Sequence, residues 1–308
     1  MELFTFYMKN IKATLLPKKK LRTPNPTDRF QEYLLEFYTS QCKKIEGHFS
    51  MALHYLHHEG IHDLRVEIKR LKAFFNFIEG MNPSFKSKKN FREIRTLFKA
   101  WGKIRDIQVQ QSLAREWESK LHRDLSPYYN FLKQEEIEAW KPFFRAGEKF
   151  NLELLTQKKK RIRKALKELS TSLARSKAVE RLNGLIYRLI EFGESPILKE
   201  AELHQVRILL KETRYTLEIS QGCFPDLGIQ DEQIGRLRDL HQILGKWHDA
   251  EVTLQFLEAF KSEAGDPEFF KGPAYRELFR YIQKEKATLR TKFEDPWKDF
   301  ILFFRGGL

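Results

Sequence analysis

Four basic residues in the stretch IHDLRVEIKRLKAFF, positions 61–75, have the types and spacing to hold an anion together. His62, Arg65, Lys69 and Lys72 stand three, four and three residues apart. On a helix such residues are surface neighbours. Leu64, Ile68, Leu71 and Phe75 then fall on the opposite face. Each like-charge contact at these spacings costs roughly 0.2–0.5 kcal/mol in an isolated helix. A solvated face is the ordinary reading of such a run, but this one occurs twice. His204, Arg207, Lys211 and Arg214 repeat the stripe 142 residues further on, in LHQVRILLKETRYTLEISQG. Glu67 and Glu212 sit near the stripes without lying on them, and only Glu218 ends the second, opposite Asn76. Core packing accounts for repeated apolar positions. Repeated surface-type cations in two otherwise divergent helices ask for a shared ligand or a shared buried partner. An anion laid along the stripes would convert the repulsion into charge-assisted hydrogen bonds.

A second block repeats just downstream, at an offset of 143. IRTLFKAWGKIRDIQV (94–109) matches LRDLHQILGKWHDAEV (237–252). Arg95, Gly102, Lys103, Asp106 and Val109 pair with Arg238, Gly245, Lys246, Asp249 and Val252. A glycine inside a helix costs roughly 1 kcal/mol relative to alanine. Its duplication points to close approach by a neighbouring helix or a ligand. Asp106 and Asp249 are expected behind the cations, orienting them. His62 and His204 open the stripes, where protonation near an ordinary pKa of about 6.5 would strengthen an anion contact.

The elements that must position these residues are helices. The predicted spans are 28–58, 61–80, 88–121, 128–145, 148–192, 199–221, 231–262 and 273–304, the fifth broken near Ser170–Ser176. Turn chemistry separates them, as in EGMNPS, DLSP, GESP and QGCFPDLG. No strand alternation stands out. The expected fold is all-α, a duplicated unit with two four-helix bundles. The division is a basic, proline-bearing lead-in at 1–27, a first repeat at 28–147 and a second at 148–308. Thr27 or Asp28 is the expected first N-cap.

Of 308 residues, 41% are hydrophobic and 32% charged, which suits a folded, highly charged protein. The net charge of +14 attracts polyanions without choosing among nucleic acid, acidic membrane and polyphosphate. Two distant cysteines, Cys42 and Cys223, fit a reducing cytoplasm better than a disulfide framework. The opening MELFTFYMKNIKATLL lacks the apolar run of a signal peptide.

HDLRVEIKRLK, HQVRILLKETRY, WGKIRD and LGKWHDAEV together resemble the CHAD domain, the conserved histidine α-helical domain, over roughly residues 28–304. The resemblance implies two four-helix bundles related by a pseudo-twofold axis. It implies basic residues of both halves facing a central groove or pore, and binding of inorganic polyphosphate with no catalysis and no cofactor. Carried over by position, the contacts would be His62, Arg65, Lys69, Lys72, His204, Arg207, Lys211 and Arg214, with Lys103, Arg105 and Lys246 as weaker additions. Phe98 opposite His241, Arg105 opposite His248 and Arg70 opposite Glu212 depart from symmetry, so the halves need not contribute equally. A cytoplasmic location, with association to polyphosphate granules, goes with that reading. The E-x-E-x-K strand of the fused triphosphate-hydrolysing tunnel domains is missing here.

Other readings fit less well. HEGIH at 58–62 has the form H-E-x-x-H of zinc proteases. Gly60 is read as separating two helices, and Glu200 stands four residues before His204, so no metal is expected. His62–Asp63 and His248–Asp249 would need further ligands to make a metal-dependent phosphohydrolase. Nucleic-acid binding is the main alternative, given 26 Phe, 10 Tyr and 5 Trp. Single-strand binders interleave aromatics with their cations, whereas Phe75 points away from the first stripe and only Tyr215 approaches the second. A scaffold for an acidic protein or a membrane is the third class. The cluster QKKKRIRK (157–164) fits that scaffold, an extension of the anion groove, or a solvated helix turn, and the sequence does not rank these.

Overall fold

The computed structural model describes residues 26–55, 58–195, 198–263 and 267–305. Most of the predicted lead-in lies outside the described residues. Helix α1 (Pro26–Tyr55) begins ahead of Thr27 and Asp28, so neither is its N-cap. There follow α2 (His58–Met81), a short α3 (Ser87–Asn90), α4 (Arg92–Leu121) and α5 (Ser126–Lys149). Then come α6 (Glu153–Lys167), α7 (Thr171–Gly193), α8 (Glu200–Cys223), α9 (Asp231–Glu263), α10 (Pro267–Lys271) and α11 (Pro273–Arg305). Among the described residues there is no strand, so the fold is all-α. No described helix is long and apolar enough to cross a membrane.

Two sequence expectations need adjusting at boundaries. The predicted 88–121 helix divides at Phe91, which ends α3 and leads into α4. The expected break in the fifth segment falls at Glu168–Ser170, where the Ser170 hydroxyl accepts the Leu173 N–H and starts α7. The turn QGCFPDLG ends on Gly228 at φ 65°, a left-handed conformation that glycine adopts without strain.

Apolar residues at steps of three and four set the packing. On α1, Phe30, Leu34, Tyr38, Ile45, Phe49 and Ala52 are all buried. The Tyr38 hydroxyl donates to the Leu155 carbonyl at 2.6 Å and holds α6 onto α1. Trp101 is fully buried between Phe49 and Phe143, its indole N–H donating to the Phe143 carbonyl at 3.0 Å. That contact locks α4, which carries part of the site, against α1 and α5.

The buried residues form two cores. The first gathers α1, α2, α4, α5 and α6, with Ala174 and Ala178 of α7, Ile219 and Cys223 of α8, Leu257 and Phe260 of α9, and Leu278 and Ile282 of α11. The second holds Leu182, Leu185 and Leu189 of α7, most of α8, Leu237 to Trp247 of α9, and Leu289 to Ile301 of α11. Helices α7, α8, α9 and α11 therefore enter both. The division at 147/148 is a proposal about how the chain arose; the apolar cores do not stop there.

Candidate functional site

On α2, burial of Leu64, Ile68, Leu71 and Phe75 to 1% exposure or less fixes the helix rotation, and the cationic stripe must face the other way. Buried Leu203, Val206, Leu210 and Leu217 do the same for α8. Helices α2 and α8 pack against each other, and their stripes line one cavity of about 530 Å³. Into its wall go His62, Arg65, Lys69 and Lys72 of α2, and His204, Arg207 and Lys211 of α8. Arg105 and Asp106 of α4 and His248 and Asp249 of α9 complete its charged lining, with Glu212. Six Lys and Arg residues thus face three carboxylates.

Three predicted residues lie elsewhere. Arg214 turns toward Glu218 at 3.8 Å and stacks on the Tyr215 ring at 4.6 Å. Lys103 pairs with Glu135 of α5 at 2.8 Å. Lys246 is exposed and outside the lining. Their sequence spacing matched the repeat, but Lys103 meets a neighbouring helix, Arg214 finds partners on its own helix, and Lys246 points to solvent. Asp106 and Asp249 stand in the wall itself, not behind the cations.

The cations are held close enough to feel one another. Lys69 and Lys211, the matched lysines of the two stripes, meet within hydrogen-bonding reach. Burial pushes Lys69 down to about 8, helped by the nearby Arg65 charge. Burial pushes Lys211 down to about 6, helped by Lys69 and Arg207. Lys69 is therefore the donor to a Lys211 amine that is mostly neutral at pH 7.5. His248 falls to about 4 through burial and Arg207, and its ring lies 5.3 Å from that of His204. His241 falls to about 3 through burial and then Lys211. His62 is also lowered, by burial and then Arg105, so it does not keep the ordinary pKa expected of it. Enclosure raises the Asp106 and Asp249 carboxyls, against the pull of Arg65 and Arg207 respectively. Buried Nε of Arg207, Nε2 of His241 and Nδ1 of His248 have no hydrogen-bond partner. Such atoms are costly to leave unpaired.

Local packing explains how these groups are aimed. Arg65 donates from Nη1 to the Phe98 carbonyl at 2.6 Å, and its guanidinium stacks 4.1 Å from the Phe98 ring centre. Gly102 makes room for it, since a Cβ there would lie 3.0 Å from Arg65 Nη1. The matching Gly245 faces open space, with nothing within 4 Å, so only one of the two expected close approaches exists. Glu67 is taken by Arg70 at 2.9 Å. Glu212 does reach the wall, contrary to expectation, but is bound by Arg181 at 2.5 Å and Asn76 at 3.2 Å.

Sequence reasoning missed Phe98, Glu212, Asn76 and Gln110 as lining residues. Phe98 and Gln110 come from α4, on the same face as Asp106, three and four residues from residues already singled out. The break between α1 and α2 also falls ahead of Gly60, inside the first turn of α2. HEGIH is thus helical, and the case against zinc rests on Glu200 alone. Among the described residues no three His, Cys, Asp or Glu side chains gather as a metal site.

Residues 38–258 match the CHAD domain family profile. The crystal structure of the CHAD domain from the plant Ricinus communis superposes with a TM-score of 0.62 at 16% identity, covering 96% of this chain and 98% of that one. PptA from Streptomyces chartreusis superposes at 0.60, also at 16% identity, over 89% of this chain and 100% of that one. At such identity the likeness is one of fold. No match to a curated protein is found. With more than half of its length covered by the family profile, the chain belongs to the CHAD-domain family.

Proposed function

We propose that the protein binds inorganic polyphosphate in the cavity between α2 and α8, as a binder and not an enzyme. The observation that carries this is the meeting of two matched cationic stripes, from distant parts of the sequence, on one cavity. The CHAD family is associated with polyphosphate binding. A chain of phosphates supplies closely spaced negative oxygens and no bases, which suits a wall of Arg, Lys and His. The buried Nε of Arg207, a cavity-lining donor without a hydrogen-bond partner, supports the same reading. The two aromatics in the wall favour polyphosphate over nucleic acid. Phe98 already stacks with Arg65 at 4.1 Å and buried Tyr215 with Arg214 at 4.6 Å, so a base would have to compete with a cation at each ring.

Replacing Arg65 and Arg207 by Glu abolishes polyphosphate binding in this reading while helicity by circular dichroism stays intact. Polyphosphate displaces labelled single-stranded DNA far better than DNA displaces polyphosphate. A double variant that binds normally, or DNA winning the competition, overturns the assignment. The affinity falls steeply with added salt, because counterions are released on binding.

A further inference from the structure

The cavity does not end the positive surface. On α4, Arg95 and Lys99 continue the face that holds the cavity residues Phe98, Asp106 and Val109, at helical steps of three and four. They are exposed and run from the cavity toward the start of the helix. On α2, the cavity residue Asn76 accepts the Ser87 hydroxyl at 2.7 Å, so α3 abuts the same end of the cavity. Helix α3 exposes Lys88 and Lys89. Beside it lies α6, tied down where Arg161 donates to the Asn90 side chain at 3.0 Å and Lys158 to Glu93 at 3.1 Å. Lys164 lies one turn from Arg161 on α6 and is exposed. Among the described residues Lys88, Lys89, Arg95, Lys99 and Lys164 have no ion-pair partner. From Gly102 to Arg92 the path measures about 15 Å, at 1.5 Å per residue.

Of this path the second repeat keeps only Arg238, the exposed match of Arg95. At the offset of 143, Lys99 is matched by Gln242, and Lys88 and Lys89 by Asp231 and Glu232, both exposed. Helix α6, with its run of basic residues, falls outside the two repeated blocks.

We propose that a long polyphosphate leaves the cavity on one side only, along Lys99, Arg95, Lys88 and Lys89 of the first repeat and the α6 cluster beside them. This rests on the polyphosphate reading of the cavity. It assigns the α6 cluster to the groove and makes binding one-sided and dependent on chain length. Short chains fill the cavity. Long chains also neutralise the track, and their free end hangs on one side of the molecule.

The test compares the full chain with its K88Q/K89Q/K164Q variant, using tripolyphosphate and long-chain polyphosphate as probes. K246Q serves as a control for removal of an exposed lysine elsewhere. The triple variant should bind long-chain polyphosphate at least about tenfold more weakly, and its salt slope should drop by about 2, near 0.7 for each phosphate that is no longer neutralised. Tripolyphosphate affinity and the K246Q control should change less than about twofold on the same account. Unchanged long-chain affinity would show the track to be solvated surface and overturn the proposal. An equal weakening for both probes, with helicity retained, would do so too, because the track would then be no extension. If the parent protein binds duplex DNA or anionic phospholipid vesicles, and the variant loses only that, the track serves another anion and the proposal falls. If the parent protein binds neither phosphate probe, the cavity reading itself fails, a result distinct from any of these.

Discussion

Lys211→Met removes the amine that the fold tolerates least. The Lys211 pKa falls from 10.5 to about 6, by burial and then by Lys69 and Arg207. At pH 7.5 the unfolded chain carries that proton and the folded chain does not. The gap of about three units between pH 7.5 and 10.5 corresponds to ~4 kcal/mol, at about 1.36 kcal/mol per unit. The cavity opens to solvent, which screens the interaction, so about half of this, ~2 kcal/mol, is the working figure. The sign follows from proton counts. A basic group whose folded pKa is depressed destabilises the fold, fully below pH about 6 and progressively less as pH rises toward 10.5. Methionine keeps the aliphatic length and drops the head group. In buffer free of polyanions, Lys211→Met should therefore raise stability by ~2 kcal/mol at pH 7.5, a melting shift of about 3 °C. The gain should shrink toward pH 10. Binding should move the other way. An anion restores the Lys211 proton, so the parent takes up close to one proton through this side chain between pH about 6.5 and 9. The variant loses that part of the pH slope, and its affinity drops by ~1.5–3 kcal/mol, the worth of one charge-assisted hydrogen bond. Urea unfolding at three pH values and long-chain polyphosphate titrations from pH 6 to 9 read both effects. A variant less stable than its parent without ligand, or an unaltered pH slope, would refute the reasoning.

Two further outcomes follow from the same wall. Asp106→Asn with Asp249→Asn should raise polyphosphate affinity, each removed carboxylate contributing on the order of 1 kcal/mol at an effective dielectric near 20; isothermal titration at fixed salt reads it, and a weaker affinity would mean these carboxylates hold the cations in place. Gly102→Ala and Gly245→Ala should separate, although the sequence treats them as equivalents. The first pushes a methyl to 3.0 Å from Arg65 Nη1 and should weaken binding severalfold. The second meets nothing within 4 Å and should stabilise the helix by up to about 1 kcal/mol without altering binding, as thermal melts and titrations would show.

The helices were legible because their apolar residues recur every three or four positions over long stretches, as from Phe30 to Ala52. Boundaries slipped where one residue served two elements, as Phe91 does between α3 and α4. The stripes were legible because they are local and duplicated: Arg65 with Arg207 and Lys69 with Lys211 could be paired by offset alone. What lay across the cavity was not legible. Phe98 caps Arg65 from another helix, and Arg181 reaches Glu212 from α7, contacts set by helix packing that no spacing within one helix encodes. Arg214 shows the opposite failure, a correct repeat position whose side chain finds Glu218 and Tyr215 first. Lys211 reads in the sequence as an ordinary lysine; only enclosure with Lys69 and Arg207 makes its amine neutral.

Helix α7 gives Ala174 and Ala178 to one apolar core and Leu182, Leu185 and Leu189 to the other, and α8, α9 and α11 are divided in the same way. Four continuous rods shared by both cores stiffen the molecule against a clamshell motion. A long guest molecule must then be laid in sideways from solvent, segment by segment, and peeled off in the same manner. Release speeds would be set by how many successive units are gripped at once, and melting of the two halves would come as one cooperative event.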